Sequence, residues 1–246
     1  MSIFDTAQFT RALFYPRAEE SRPPAGAKDI YVDVPGAKLH VRQHAAENAR
    51  VRLLLFHGNG EVVADYDGHG VLYANAGAAL TVADYRGYGE STGTPSLRAV
   101  IEDARVIAEA VRDERPLVVM GRSLGGAAAH ELYARPIEGM VGVVLESTFS
   151  DLDALVRRRG LEPQYGEGDK DVFDPLPKLE KGTLPLLLLH GDSDTLIQPG
   201  EAKRAFEIAG SAKKELVMIP ERGHNNVSYA QVYWDALAKF VASLSS

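Results

Sequence analysis

The sequence predicts an α/β protein built on a mostly parallel sheet with helices on both faces, and three observations lead there. Short, almost wholly apolar runs recur along the chain, stretches of helical spacing separate them, and one early pair of strand-like segments is joined by a tight turn. Buried parallel strands are apolar on both faces and need a crossover between them, so runs and gaps of this kind belong together.

The early pair is 30–34 and 39–43, which flank Pro35-Gly36 and read as an antiparallel hairpin at one edge of the sheet. Six further runs, 51–56, 80–83, 117–120, 141–145, 186–189 and 216–219, complete an eight-stranded sheet. Ile101, Ala104, Ala108 and Val111 recur at helical spacing behind an N-cap at Ser96, and Val232, Ala236, Leu237 and Phe240 do so near the C-terminus. One connection breaks the rhythm. About forty residues lie between the run ending at Leu145 and the one starting at Leu186; they include Arg157-Arg158-Arg159 and a polar stretch at 165–171, and a patternless loop of that length predicts a small lid at 150–183.

Composition narrows the function. At 246 residues, with 45% hydrophobic and 25% charged residues, the chain fits one soluble domain spanning 1–246. A net charge of −7 without a Lys/Arg block argues against nucleic acid as a partner. The absence of cysteine removes disulfides, thiolate metal sites and a cysteine nucleophile together. Residues 1–15 carry Asp5 and Arg11 among apolar residues rather than a signal-peptide pattern, and the apolar runs are too short to span a bilayer, so the expectation is a cytoplasmic protein without a transmembrane segment.

Gly121-Arg122-Ser123-Leu124-Gly125 matches G-x-S-x-G between the run 117–120 and the helical pattern 127–134. A tight strand-to-helix turn strains the serine and presents its hydroxyl above the sheet, and only small residues fit two positions either side. The hydroxyl needs a base, and the base needs a carboxylate to fix its tautomer. His224, in Gly223-His224-Asn225 after the last run, is the candidate base, and Asp194, in His190-Gly191-Asp192-Ser193-Asp194 after 186–189, the candidate acid. Glu146 stays a rival acid, because it ends the neighbouring run. Backbone N–H donors for a developing oxyanion are expected from Leu124 and from Asn59, with Gly60 behind it, in His57-Gly58-Asn59-Gly60.

The set HGNG at 57–60, DYRGYGES at 84–91, GRSLGG at 121–126, HGDSD at 190–194 and GHNN at 223–226 resembles the α/β-hydrolase superfamily over about residues 30–244. The similarity is to its small, minimally lidded branch of serine-aminopeptidase-like, monoacylglycerol-lipase-like and depalmitoylase-like serine hydrolases. The resemblance implies the α/β-hydrolase fold, a triad of Ser123, Asp194 and His224, and oxyanion donors at Asn59 and Leu124. Asn226 departs from the pattern, since that branch often has an acidic residue there.

The expected activity is cofactor-free hydrolysis of a small-molecule ester or thioester with a short to medium acyl chain, through an acyl-enzyme. Amide hydrolysis by a peptidase and non-catalytic binding on the same fold are the alternatives. Arg86 is expected to brace a loop, His57 and His190 to make structural hydrogen bonds, and Arg157-Arg158-Arg159 to form a solvated face or to recruit an anionic group. His69 and His130 lack ligand-spaced partners, so no metal site is expected.

Overall fold

Eight strands form one sheet in the computed structural model, which describes residues 2–244; Met1, Ser245 and Ser246, included in the expected single domain, lie outside the described residues. The strands are β1 (Ala27–Val34), β2 (Ala37–His44), β3 (Val51–Phe56), β4 (Ala78–Ala83), β5 (Leu117–Arg122), β6 (Met140–Glu146), β7 (Leu186–Gly191) and β8 (Lys214–Ile219). Their order is β1-β2-β4-β3-β5-β6-β7-β8. The β1–β2 hairpin is antiparallel and β2 also meets β4 antiparallel, whereas every pairing from β4 to β8 is parallel. The predicted fold class and edge hairpin are therefore present.

The helices are α1 (Ala7–Leu13), α2 (Gly70–Asn75), α3 (Leu97–Ala110), α4 (Gly126–Ala134), α5 (Leu152–Arg157), α6 (Asp169–Phe173), α7 (Pro175–Lys181), α8 (Pro199–Ile208) and α9 (Gln231–Ser243). Successive residues of a strand point to opposite faces, so β3 sends Leu54 and Phe56 into one core and Val51, Leu53 and Leu55 into another. The first core takes in α1, α3, α4 and α8, and the second α2 and α9. Ser96 caps α3 as expected, accepting from the Ala99 N–H at 3.0 Å. In α9 the buried stripe is Tyr233, Ala236, Leu237 and Phe240, and Val232 is exposed. Spacing alone did not place Val232, because it also lies two turns from Phe240 and so matches the same helical period.

The segment expected to be an irregular lid folds into the short helices α5, α6 and α7. Asp151 caps α5 through the Ala154 N–H at 2.9 Å, and Asp174 caps α7 with Pro175 in its first turn. Leu152, Leu155, Val156, Phe173 and Leu179 join the first core, where Phe173 meets Phe4 with ring centroids 4.2 Å apart. Helices of five to seven residues are too short to show a period, so the sequence reads as a loop there. No helix among the described residues is long and apolar enough to cross a membrane.

Because β4 and β5 lie on opposite sides of β3, the β3–β4 and β4–β5 connections run in opposite directions across the sheet, which makes the carboxyl ends of β3 and β5 a switch point where a crevice is expected. Ser123 follows β5, and the loop 57–60 follows β3.

Candidate active site

Ser123 has a φ of 51°, a conformation that costs a non-glycine residue energy and that the surrounding packing must impose. The flanking glycines explain how. A β-carbon on Gly125 would lie 2.0 Å from the Phe56 carbonyl oxygen, and one on Gly121 would lie 2.5 Å from the Gly125 carbonyl oxygen. The turn thus sits directly on the end of β3, and a methyl group at either position would push it off.

The Ser123 hydroxyl lies 2.9 Å from His224 Nε2, and His224 Nδ1 lies 2.8 Å from Asp194 Oδ2. A carboxylate accepts only, so the proton of a neutral His224 sits on Nδ1 and Nε2 is left to accept from serine. The other oxygen, Asp194 Oδ1, accepts the Leu196 and Ile197 N–H groups at 2.9 Å each. Burial raises the Asp194 carboxyl, but the hydrogen bonds from His224, Ile197 and Leu196 outweigh it and hold the group below the ordinary carboxylate range. His190, near the end of β7, lies 3.4 Å from Asp194 Oδ2 and also bonds the Ile197 carbonyl at 2.9 Å.

Glu146 is not beside His224. It pairs with Arg122 at 3.1 Å and accepts from the Tyr233 hydroxyl at 2.7 Å. Wholly buried, its carboxyl is raised, because burial outweighs the pull of Arg122 and Tyr233.

Arg122, the variable residue before Ser123 in the motif, is the member of the site that pattern reading passed over. Besides Glu146 it pairs with Glu61 and donates through Nη2 to Asn225 Oδ1 at 2.9 Å. Glu61 in turn accepts the Gly58 N–H at 2.7 Å and the Tyr66 hydroxyl at 2.7 Å. One guanidinium therefore ties the serine turn to the loop after β3 and to the loop carrying His224. A β-carbon on Gly58 would lie 2.2 Å from Arg122 Nη1, so the glycine is needed for this approach. A polar cleft of about 220 Å³ opens beside the network, lined in part by Glu61, Arg122, Asn225, Tyr229 and Trp234.

Asn59 lies in the loop after β3, and Leu124 directly follows Ser123 in the same turn. The Asn59 side chain has work of its own: Oδ1 accepts the Tyr88 hydroxyl at 2.7 Å and the Tyr15 N–H at 3.0 Å, and Nδ2 donates to the Leu13 carbonyl. The loop is thereby fastened to the segment after α1. Below it His57 bonds Asp84 at 3.1 Å, and Asp84 also accepts the Val63 N–H at 3.0 Å. Gly89 is required in DYRGYGES, since its β-carbon would fall 2.0 Å from Asp84 Oδ2. Arg86 forms a two-pronged pair with Asp103 at 2.7 Å for each prong, a brace away from the serine.

Among the described residues one trio, Asp29, His40 and Glu90, brings ligand-type atoms within 4.8 Å of one another. Arg42 already holds Asp29 through Nε and Nη2 at 2.7 and 2.9 Å, so a cation there would have to displace a guanidinium.

A hydrolase family described as serine aminopeptidase, S33 matches residues 47–164 and 153–228. The chain belongs to the α/β-hydrolases. Protein bem46 of Schizosaccharomyces pombe is 30% identical over 218 residues, which cover 81% of this chain and 70% of that protein. An alpha/beta hydrolase domain-containing protein 17B of Xenopus tropicalis is 28% identical over 79% of this chain and 67% of its own length. Among solved structures, the esterase Pf2001 of Pyrococcus furiosus superposes with a TM-score of 0.75 at 17% identity, covering 95% of this chain and all (100%) of that one. Est1E from Butyrivibrio proteoclasticus, solved with ferulic acid bound, gives 0.72 at 18% identity over 87% and 98% of the two chains. At such identities the superpositions establish the shared fold alone.

Proposed function

We propose that this α/β-hydrolase cleaves a carboxylic ester or thioester of short to medium acyl chain through a covalent acyl-enzyme. The observation that carries this is the unbroken relay from the strained Ser123 through His224 to Asp194, at 2.9 and 2.8 Å. In the first half-reaction His224 Nε2 takes the Ser123 proton as Oγ bonds to the carbonyl carbon. The oxyanion is held by the Asn59 and Leu124 N–H groups, and the same proton passes to the alcohol or thiol as its bond to carbon breaks. Water then attacks the acyl-enzyme with His224 again as base, freeing the acid and Ser123. The reaction uses no cofactor.

Two features support a small acyl group. The large apolar side chains of α5, α6 and α7 are spent on the main core, and the remainder of the segment is rich in charge. A peptidase reading, which the family description suggests, calls for a free carboxylate to hold the substrate's amine, whereas Glu61 and Glu146 are engaged by Arg122. The test is a fluorophosphonate probe followed by an activity screen over esters, thioesters, aminoacyl amides and lipids, with Ser123→Ala as the blank. Labelling and ester turnover that vanish in the blank are expected. A folded wild type that neither labels nor turns over would move the protein to a binding role.

A further inference from the structure

The three consecutive arginines of the inserted segment do not behave alike. Arg157 pairs with Glu162 at 3.1 Å, and Arg158 pairs with Glu201. Arg159 has no carboxylate partner among the described residues, and its Nε is buried without an acceptor. Its guanidinium instead lies 5.9 Å from the centre of the Tyr15 ring.

Tyr15 connects that guanidinium to the site. Its N–H donates to Asn59 Oδ1 at 3.0 Å and reaches the Tyr88 hydroxyl at 3.0 Å, and its Cβ stands 3.9 Å from the position a β-carbon on Gly60 would take. Arg159 therefore stands over the loop assigned above to the oxyanion, on the segment that faces it. A guanidinium partly withdrawn from water without a carboxylate is costly, and a cation–π contact with one exposed tyrosine returns only part of that cost. The planar fork of an arginine matches a carboxylate or a phosphate in two-pronged fashion, so an anion arriving with the substrate would complete what the fold leaves open.

We propose that Arg159 binds an anionic oxygen group, a carboxylate or phosphate, carried by the substrate away from the scissile bond, and so selects anionic esters over neutral ones of equal size. This rests on the hydrolase reading. Acyl-side and alcohol-side anions are separated by two substrate series. In the first, monoethyl esters of succinate, glutarate and adipate are compared with ethyl alkanoates of matching length. In the second, 1-acetylglycerol 3-phosphate is compared with monoacetylglycerol. Acid release is followed by pH-stat, Ser123→Ala is the blank, and the readout is the ratio of anionic to neutral kcat/KM.

One series is expected to show a wild-type ratio well above one. If it is the dicarboxylate series, the ratio should peak at one length, since the guanidinium is fixed. Arg159→Met should lower the ratio by about ten- to a hundredfold, the scale of a charge-assisted hydrogen bond. Arg159→Lys, which keeps the charge and loses the fork, should fall between. A wild-type ratio at or below one in both series overturns the proposal whether or not any variant folds, as does a ratio that survives Arg159→Met. Neutral esters turned over as fast by Ser123→Ala as by wild type would instead remove the hydrolase reading beneath it.

Discussion

Replacing Asp194 by asparagine keeps the shape of the side chain but puts a neutral NH₂ donor in place of one charged carboxylate oxygen. Asp194 Oδ1 faces two N–H donors, from Leu196 and Ile197 at 2.9 Å, so the amide oxygen of the variant must take that side. Its NH₂ group then faces His224 Nδ1, now 2.8 Å from the carboxylate, and two donors cannot share a hydrogen bond. Neutral His224 is forced to carry its proton on Nε2, pointing at the Ser123 hydroxyl it should deprotonate. Asp194→Asn should therefore lower kcat roughly ten-thousand-fold, equivalent to about 5.5 kcal/mol of transition-state stabilisation, with circular dichroism unchanged. Glu146→Gln keeps the Tyr233 contact and leaves His224 untouched, so it should cost under about tenfold. Steady-state hydrolysis of p-nitrophenyl butyrate by the two variants decides between them. A loss for Glu146→Gln larger than for Asp194→Asn would refute the reasoning and move the acid to the neighbouring strand.

Ser123→Ala and His224→Ala should each reduce kcat by roughly a million-fold and the double variant little further, because triad members act as one unit; additive losses in single-turnover assays would show that the two do not cooperate. Arg122→Met strands Glu61 and Glu146 and should cost about 3–5 kcal/mol in urea unfolding, most of it recovered on adding Glu146→Gln; an unchanged midpoint would mean the network carries no stability. His130 is buried with no hydrogen-bond partner for either ring nitrogen among the described residues, and burial holds its pKa down to about 3. The unfolded chain therefore binds a proton that the fold refuses, and the stability this His supports is whole above about pH 6.5 and lost progressively toward pH 3. His130→Leu should remove about 2 kcal/mol of the fall in unfolding free energy between about pH 7 and pH 5; parallel pH profiles would show that the ring is reached by solvent. Specificity for p-nitrophenyl esters should peak at short or medium acyl length, and a rise in kcat/KM that continues past about ten carbons at about 0.8 kcal/mol per methylene would reveal an apolar tunnel.

The sheet was legible because buried parallel strands write themselves as apolar runs, and β3, β5 and β7 were placed to within two residues on that basis alone. β8 was placed as closely from its apolar half, 216–219, although most of its residues are only partly buried and its first two are charged. The short helices of the insertion went unread for a different reason. A single turn buries one or two side chains, which is no period, and only its caps, Asp151 and Asp174-Pro175, mark its start.

At the site, the residues legible in advance are those whose chemistry is bound to a local turn: Ser123 between two glycines, Asp194 and His224 each just past a strand. What could not be read is whatever depends on three loops meeting. Arg122 occupies a motif position that tolerates any residue, and nothing in its neighbours along the chain indicates that Glu61, Glu146 and Asn225 converge on it. The motif points to the peptide N–H of Asn59, and gives no sign that its side chain fastens Leu13, Tyr15 and Tyr88. These are contacts between residues 24 to 103 positions apart, and such separations exist only once the sheet has gathered its carboxyl ends. The same holds for Arg159. In sequence it is one of three equal arginines, and only the fold separates it, by giving Arg157 and Arg158 an acid each and leaving Arg159 over Tyr15. Sequence motifs thus mark single residues beside a local turn, whereas the pairings among loops, and those left incomplete, are written only in the fold.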